Sequence, residues 1–249
     1  MKPTPRHQAG FSLVELMVAI AVALFLIGGV VSMLASTRNT FKNQSSLAQL
    51  QDDQRLAMTL IANVVQSAGY YPDPLLMTAS SEFLKGDVAF TGQTLAFAAD
   101  GQVITGATNT ATLGDTLVVR FETAGTSADN VIDCTGNVRN TKAVIINTLT
   151  LDANSNLLCG IDDKAPVQLV TGVTKMRVWY GLKTDFTVDD NQVDMYVPTA
   201  DMTAADWPNV ISLRLTLTFK NPLAGQPGQP QTIDFTRVIA VMNKAGVKT

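Results

Sequence analysis

A carboxylate near the start of a long apolar run is the first feature of this sequence that could carry chemistry. Glu15 is the only charged residue between Arg6 and Arg38, and Gly10 and Phe11 stand just before the apolar run. A secretory signal peptide is cut after its apolar core, whereas a cut between Gly10 and Phe11 would keep that core on the mature chain. These residues therefore predict a processing point followed by a retained apolar helix.

The carboxylate of Glu15 needs a physical reason to remain in such a segment. An ionisable group inside a membrane helix costs about 2.5–3.5 kcal/mol on insertion scales. An amine about 4 Å away contributes on the order of 4 kcal/mol at an effective dielectric constant near 20, which offsets that cost. We therefore expect Glu15 to bind an amine; the alternative is a glutamate that reaches the membrane interface without a partner.

Two cysteines are the next candidates for covalent chemistry. Cys134 and Cys159 are expected to form a disulfide if this part of the chain faces the oxidising periplasm, and two free thiols are the alternative. The chain-entropy model gives such a loop of about 25 residues roughly 3–4 kcal/mol of stabilisation. Zinc is not expected, since two cysteines and the single histidine, His7, cannot complete a tetrahedral site.

An acidic turn is the only weak candidate for a metal site. Calcium takes oxygen ligands from flexible loops, but the spacing here does not match an EF-hand and lacks the glycine of its sharp turn. A turn between two strands is the simpler interpretation, so no metal is expected. The candidate oxygen ligands are Asp185, Asp189, Asp190, Asn191 and Asp194.

Catalytic motifs are not found in the sequence, so neither enzymatic activity nor a cofactor is expected. His7 precedes the predicted cut, which leaves the mature chain without a histidine for a Ser-His-Asp or Cys-His arrangement. Glycine-rich phosphate loops with the required spacing are not found either. The carboxylate pairs Asp52-Asp53 and Asp162-Asp163 are interpreted as solvated faces or turns.

The N-terminal part of the chain is predicted to be one long helix. No proline lies between Pro5 and Pro72, and residues 11–35 are apolar enough to span a bilayer. The helix is predicted to continue to about Ser67, with Gly69 and Pro72 as stop signals. Its second half has apolar residues at helical spacing: Leu47, Leu50, Ala57, Met58, Ile61, Val64, Val65 and Ala68.

The remainder of the chain has short β-type runs separated by Gly, Asn, Asp and Thr, which predicts antiparallel sheets with one face on a core. The fold class is therefore α+β. Trp179 and Tyr180 are adjacent in one strand and must face opposite sides, so one of them could be exposed. The predicted strands are 94–98, 116–122, 143–151, 167–171, 174–182, 210–219 and 232–240, with a loop over 221–231.

The charge balance argues against a general nucleic-acid-binding surface. The chain has a net charge of −3, and loss of Lys2 and Arg6 with the segment before the cut would leave 16 basic against 21 acidic side chains. A nucleic-acid-binding domain is usually basic, although a local basic patch stays compatible with this composition. Nucleic acid is therefore not an expected partner.

The N-terminal pattern resembles the class III leader of type IV pilins and pseudopilins. The resemblance rests on Gly10-Phe11-x-x-x-Glu15, preceded by the basic residues Lys2 and Arg6 and followed by an uncharged helix. It implies that prepilin peptidase cuts after Gly10 and methylates Phe11, and that Glu15 pairs with the N-terminal amine of a neighbouring subunit. The implied organisation is a leader at 1–10, a pilin helix at 11–70 and a β-rich domain at 71–249.

Membrane orientation follows from the basic residues of that leader. Positive charge favours the cytoplasmic side, so the N-terminus is expected in the cytoplasm and the β-rich domain in the periplasm. The resemblance implies a single-pass protein of the bacterial inner membrane that is later incorporated into a pilus.

Two further stretches are similar to the PilW-type minor pilins. The stretch 55–73 ends its helix with Ala-Gly-Tyr, and the stretch 169–219 carries Gly-Val, Tyr-Gly and Thr-Asp ahead of a strand, while 75–165 resembles nothing. The resemblance implies a structural subunit of a priming or tip complex. Its partners would be other minor pilins, the major pilin and the inner-membrane assembly machinery. The alternatives are a J-like minor pseudopilin of type II secretion and a tip module that binds a surface or DNA.

Overall fold

One helix of 54 residues, α1, begins the fold and spans Leu13–Gln66. The computed structural model describes residues 10, 12–90, 93–109, 114–125, 129, 131–187 and 192–243. Contacts divide the chain into two compact units, Met1–Ala48 and Gln49–Thr249. The last turns of α1, from Gln49, therefore belong to the same unit as the strands, because their buried side chains join the core of that unit.

Eleven strands and a short helix follow among the described residues. All strand pairs are antiparallel. The short helix α2 is Ala79–Glu82. The strands are β1 (Gly86–Phe90), β2 (Gln93–Phe97), β3 (Ile104–Asn109), β4 (Gly114–Thr123), β5 (Ala143–Leu151), β6 (Asn156–Ile161), β7 (Val167–Thr171), β8 (Val173–Leu182), β9 (Met195–Pro198), β10 (Val210–Lys220) and β11 (Thr232–Ala240).

The strands form a β1-β2 hairpin, a four-stranded sheet and a five-stranded sheet. The four-stranded sheet has the order β11-β10-β8-β9, and the five-stranded sheet has the order β3-β4-β5-β6-β7. Inward side chains of both larger sheets and one face of the end of α1 share one hydrophobic core, which includes Ile61, Leu117, Leu149, Val178 and Leu215. The long helix thus ends on an antiparallel β-rich domain, and the predicted fold class is confirmed.

A second, smaller core lies on the other face of the five-stranded sheet. Val88, Leu95 and Phe97 of the β1-β2 hairpin pack there against Val118 of β4. Because the hairpin covers this face, β4 is buried on both faces. A strand of an antiparallel sheet more commonly alternates buried and exposed side chains.

The end of α1 follows the predicted stop signal. Gly69 has a φ of +75°, the left-handed conformation that glycine adopts after a helix without steric cost. Its N–H donates to the carbonyl of Arg120, and the carbonyl of Tyr70 accepts from the N–H of Glu122, so the chain leaves the helix directly onto β4. A proposed boundary at residue 70 therefore marks a change of secondary structure within one compact unit.

All seven predicted strands are present, with ends that agree to within two residues. Four strands were missed: β1, β3, β6 and β9. Gly106 in β3 and Gly160 in β6 weaken a strand pattern in sequence, yet Gly106 is required in the fold. A Cβ on Gly106 would lie 2.3 Å from the hydroxyl oxygen of Tyr180, which fills that space.

Candidate functional site

The N-terminal end of α1 is capped by Ser12. The N–H of Glu15 donates to Oγ of Ser12 at 3.2 Å, and the N–H of Leu16 donates to the Ser12 carbonyl at 3.2 Å. A serine at the N-cap with glutamate three residues later is the sequence pattern of a capping box. Gly10 and Glu15 are both exposed, whereas Phe11 lies outside the described residues. Within the described chain, the carboxylate of Glu15 therefore remains available to a partner from another molecule.

The surface of α1 after Glu15 is apolar on all sides. The 22 residues of the uncharged run, 16–37, are all exposed, and Phe25 is 82% exposed. By length and composition, α1 is the one described helix that could cross a membrane. Such a surface is stable only in lipid or against other apolar helices, because exposed apolar area costs roughly 25 cal/mol per Å² in water.

The two cysteines form the predicted disulfide. Cys134 and Cys159 are bonded and buried, with their Cα atoms 6.1 Å apart. The bond joins the segment before β5 to strand β6, and the N–H of Cys134 donates to Oδ1 of Asn147 in β5 at 2.8 Å. The disulfide and this hydrogen bond therefore attach an irregular segment to two neighbouring interior strands, β6 and β5, of the five-stranded sheet.

Replacing Cys134 and Cys159 together with Ala should lower the free energy of unfolding by about 3–4 kcal/mol, because a loop closed over 25 residues restricts the unfolded chain. Urea denaturation of the purified protein would measure the loss. Reduced wild-type protein provides the matched control and should show a similar loss. Strong labelling of thiols in unreduced wild-type protein would contradict the bond.

The acidic turn is only partly within the described chain. Asp189, Asp190 and Asn191 lie outside it, so the calcium alternative stays untested at those positions. Asp194 accepts from the N–H groups of Thr184 at 2.6 Å and Asp185 at 2.8 Å, and these bonds lower its pKa. These carboxylate oxygens stabilise the turn. Across the residues described, no group of three or more metal-binding side chains occurs.

Arg120 has the lowest exposed fraction of the positively charged residues that the structure describes, and its guanidinium makes several hydrogen bonds. The sequence did not predict this site. Its side chain projects from β4 and is 6% exposed. Nε donates to the carbonyl of Gln102 at 2.7 Å, Nη1 to that of Leu84 at 2.7 Å and Nη2 to that of Phe83 at 3.0 Å. The guanidinium also lies 3.9 Å from the centre of the Phe97 ring. Burial lowers the pKa of Arg120 to about 10.

The arginine thus connects β4 with the segment that runs from α2 to β3. A signal was present in sequence, because Arg120 interrupts the apolar run of β4. Sequence alone could not say which backbone carbonyls would lie opposite it.

A second buried charged residue, Glu122, lies two positions after Arg120. Unlike Arg120, it has other ionisable side chains as neighbours. Nζ of Lys142 lies 3.4 Å from Glu122, 3.9 Å from Asp73 and 4.0 Å from Glu82. Glu122 is 5% exposed, and its Oε2 has no hydrogen-bond partner among the described protein atoms. Burial, and next the hydrogen bond and charge of Glu82, raise the pKa of Glu122, whereas Lys142 lowers it.

Glu122 should make the stability of the domain depend on pH. Because its pKa is raised in the folded state, its contribution is fully present below the unfolded pKa near 4.5 and is lost as the pH rises through the folded pKa. Glu122→Gln should remove this decline, so the variant should gain stability over wild type as the pH rises above about 4.5. Urea denaturation across this pH range measures the difference. Asp163→Asn, at an exposed position, is the control, and an identical pH profile for Glu122→Gln and wild type would contradict the assignment.

Trp179 and Tyr180 face opposite sides of β8, as expected. Tyr180 is fully buried and packs edge-on against Trp207, with ring centres 4.7 Å apart. Trp179 is half-buried on the outer face, where the guanidinium of Arg214 lies 4.1 Å from the centre of its ring. The outer face of this sheet therefore carries polar and aromatic groups that the sequence analysis did not bring together.

Comparison with known proteins gives two family matches. Residues 135–241 match the family described as Type IV Pilus-assembly protein W, and residues 5–31 match the prokaryotic N-terminal methylation motif. No curated protein matches. A solved type IV-like pilin from Thermus thermophilus is similar at 15% identity, covering 79% of this chain and 97% of that one, with a TM-score of 0.47. The second family match includes Gly10, Phe11 and Glu15.

Proposed function

Since this chain is a type IV pilin of the PilW type, we propose that it helps to initiate pilus assembly as a subunit of the complex that primes the fibre. A pilin with an N-terminal methylation motif is processed by prepilin peptidase and assembles with other pilins. The apolar helix is consistent with anchoring in the inner membrane before incorporation into the pilus. The protein belongs to a class of structural subunits, and we propose no catalytic step for it.

The observation that carries the assembly part of this proposal is the arrangement of charge along the first part of α1, and the family match over residues 135–241 supports the PilW type. Glu15 lies in the first turn, and the 22 residues after it present only uncharged surface. A single carboxylate on the apolar part of the helix stabilises the one subunit register in which it meets the amine at Phe11 of a neighbour. We propose this register function for Glu15, with Phe11 as the methylated residue.

The priming role can be tested with a clean deletion strain. Surface pili are counted by electron microscopy, and type II secretion of exoproteins is assayed in the same strain. Few or no pili with normal secretion is the expected result, and the complemented strain should recover its pili. Normal pili with defective secretion would instead assign the protein to the J-like pseudopilin class.

The processing point gives a separate prediction. Gly10→Leu should leave uncut precursor in the membrane, because the peptide bond before Phe11 would lose the small residue that the leader resemblance requires. Immunoblotting resolves precursor from mature protein. Gly29→Leu is the matched control within the apolar run, where an added Cβ likewise meets no other atom. Full cleavage of the Gly10→Leu protein would refute the assigned site.

A further inference from the structure

The outer face of the four-stranded sheet carries an excess of positive charge. Lys175 and Arg177 project from β8, Arg214 and Lys220 from β10, and Asp234 is the carboxylate that β11 adds. Within the described part of the chain, none of these four cations lies within ion-pair distance of a carboxylate. The whole chain has a net charge of −3, so its composition alone does not predict a face with an excess of positive charge.

Arg214 is held in position by aromatic side chains. Its guanidinium lies 4.1 Å from the centre of the Trp179 ring and 5.0 Å from that of Tyr196. Contact with two rings restricts the positions that the guanidinium can take, and its planar fork matches the two oxygens of a carboxylate. The charge of Arg214 is therefore held at one place on this face before any ligand arrives.

A groove of about 460 Å³ runs over the same face. Besides Arg177 and Arg214, threonine hydroxyls and the carboxylate of Asp234 line it. Thr218 is the register partner of Asp234 across β10 and β11, and Thr216 is that of Thr236. The hydroxyl oxygens of Thr216 and Thr236 lie 2.8 Å apart. The groove therefore offers cations, hydroxyl groups and a single carboxylate side by side.

We propose that this groove binds an acidic polysaccharide whose sugar rings carry carboxylates. The ligand carboxylates would pair with Arg177 and Arg214, and charge-assisted bonds of this kind are the strong ones. Ligand hydroxyls would bond to the threonines and would donate to Asp234, a contact that a DNA phosphodiester chain cannot make because it has no free hydroxyls along its length. This binding role goes beyond pilus assembly and does not depend on Glu15.

The same observations disfavour single-stranded nucleic acid as the ligand. Binding of single strands combines a cationic groove with aromatic rings on which bases stack. Here Trp179 and Tyr196 are half-buried, and Arg214 already occupies the space against both rings.

Full-length protein in detergent micelles can be titrated with polygalacturonate by isothermal calorimetry. Fully methyl-esterified polygalacturonate is the matched uncharged probe, and a short oligodeoxythymidylate is the nucleic-acid probe. We expect binding of polygalacturonate that weakens with added salt, and much weaker binding of the ester. Absence of binding to polygalacturonate, or equal binding of the ester, would overturn the proposal.

Variants locate the binding on the protein. The double variant Lys175→Gln, Arg177→Gln should lower the affinity for polygalacturonate about tenfold, because it removes two cations that attract the ligand carboxylates. Arg214→Lys, which keeps the charge and loses the planar fork, should also weaken binding. The control Lys85→Gln, Lys164→Gln removes the same charge from exposed positions elsewhere and should bind normally. An equal loss in the control, or tighter binding of the oligonucleotide that is lost only in groove variants, would overturn the polysaccharide assignment.

Discussion

Replacement of Glu15 by Ala is expected to exclude the protein from pili while the N-terminal segment is still cleaved. The substitution removes the carboxylate that would attract the N-terminal amine of the adjacent subunit. That attraction is on the order of 4 kcal/mol at 4 Å and an effective dielectric constant near 20. Even a third of that energy corresponds to about a tenfold change in incorporation. Immunoblots of sheared pili and of membranes from the same cells measure incorporation and processing together.

Two matched variants separate charge from helix structure. Glu15→Gln keeps the size of the side chain but removes the charge, so it should behave like Glu15→Ala. Ser12→Ala removes the cap seen in the structure, at a cost of about 0.5–2 kcal/mol to the helix, yet keeps the carboxylate. It should therefore retain incorporation. Normal incorporation of Glu15→Gln would show that the charge does not set the register.

Arg120→Ala should lower the free energy of unfolding by about 3–5 kcal/mol, because each buried acceptor left without its donor costs about 1–3 kcal/mol. The change leaves the carbonyls of Phe83, Leu84 and Gln102 without their donor and removes the guanidinium from the Phe97 ring. For a domain of this size, each kcal/mol corresponds to about 2–4 °C in melting temperature. Urea and thermal denaturation measure the effect directly.

Arg177→Ala provides the control for Arg120, because Arg177 is exposed on the outer sheet face and should change stability by less than about 0.5 kcal/mol. Arg120→Lys retains one charge but lacks the fork that reaches three carbonyls, so an intermediate loss is expected. A loss below about 1 kcal/mol for Arg120→Ala would mean that water replaces the guanidinium at those carbonyls.

Several elements were predictable because their signals are local. The end of α1 follows from Gly69, whose left-handed conformation is cheap only for glycine, and β10 follows from strict alternation along Val210–Lys220. The four missed strands lack such signals. Strand β3 is held by its pairing with β4 and by the space that Gly106 leaves for Tyr180, and neither is visible in a window of six residues.

The candidate sites divide in the same way. Gly10, Phe11 and Glu15 were identified from their mutual spacing, and the disulfide was expected because a domain predicted to face the oxidising periplasm has two cysteines. The three carbonyl partners of Arg120 come from residues 18 to 37 positions away, so they could not be assigned. The cationic groove likewise depends on residues of β8, β10 and β11 that only sheet register brings together.

By itself, the sequence determined that the protein has an N-terminal helix whose apolar first half carries one carboxylate, a β-rich domain and a single possible disulfide. These features depend on residue type, on short spacing and on counting. The tertiary structure alone decided which face of β4 the β1-β2 hairpin covers, what surrounds Arg120, and that Arg177, Arg214 and Asp234 share one surface. The reason is that these arrangements depend on strand pairing between distant segments, where a register change of one residue moves every side chain to the opposite face.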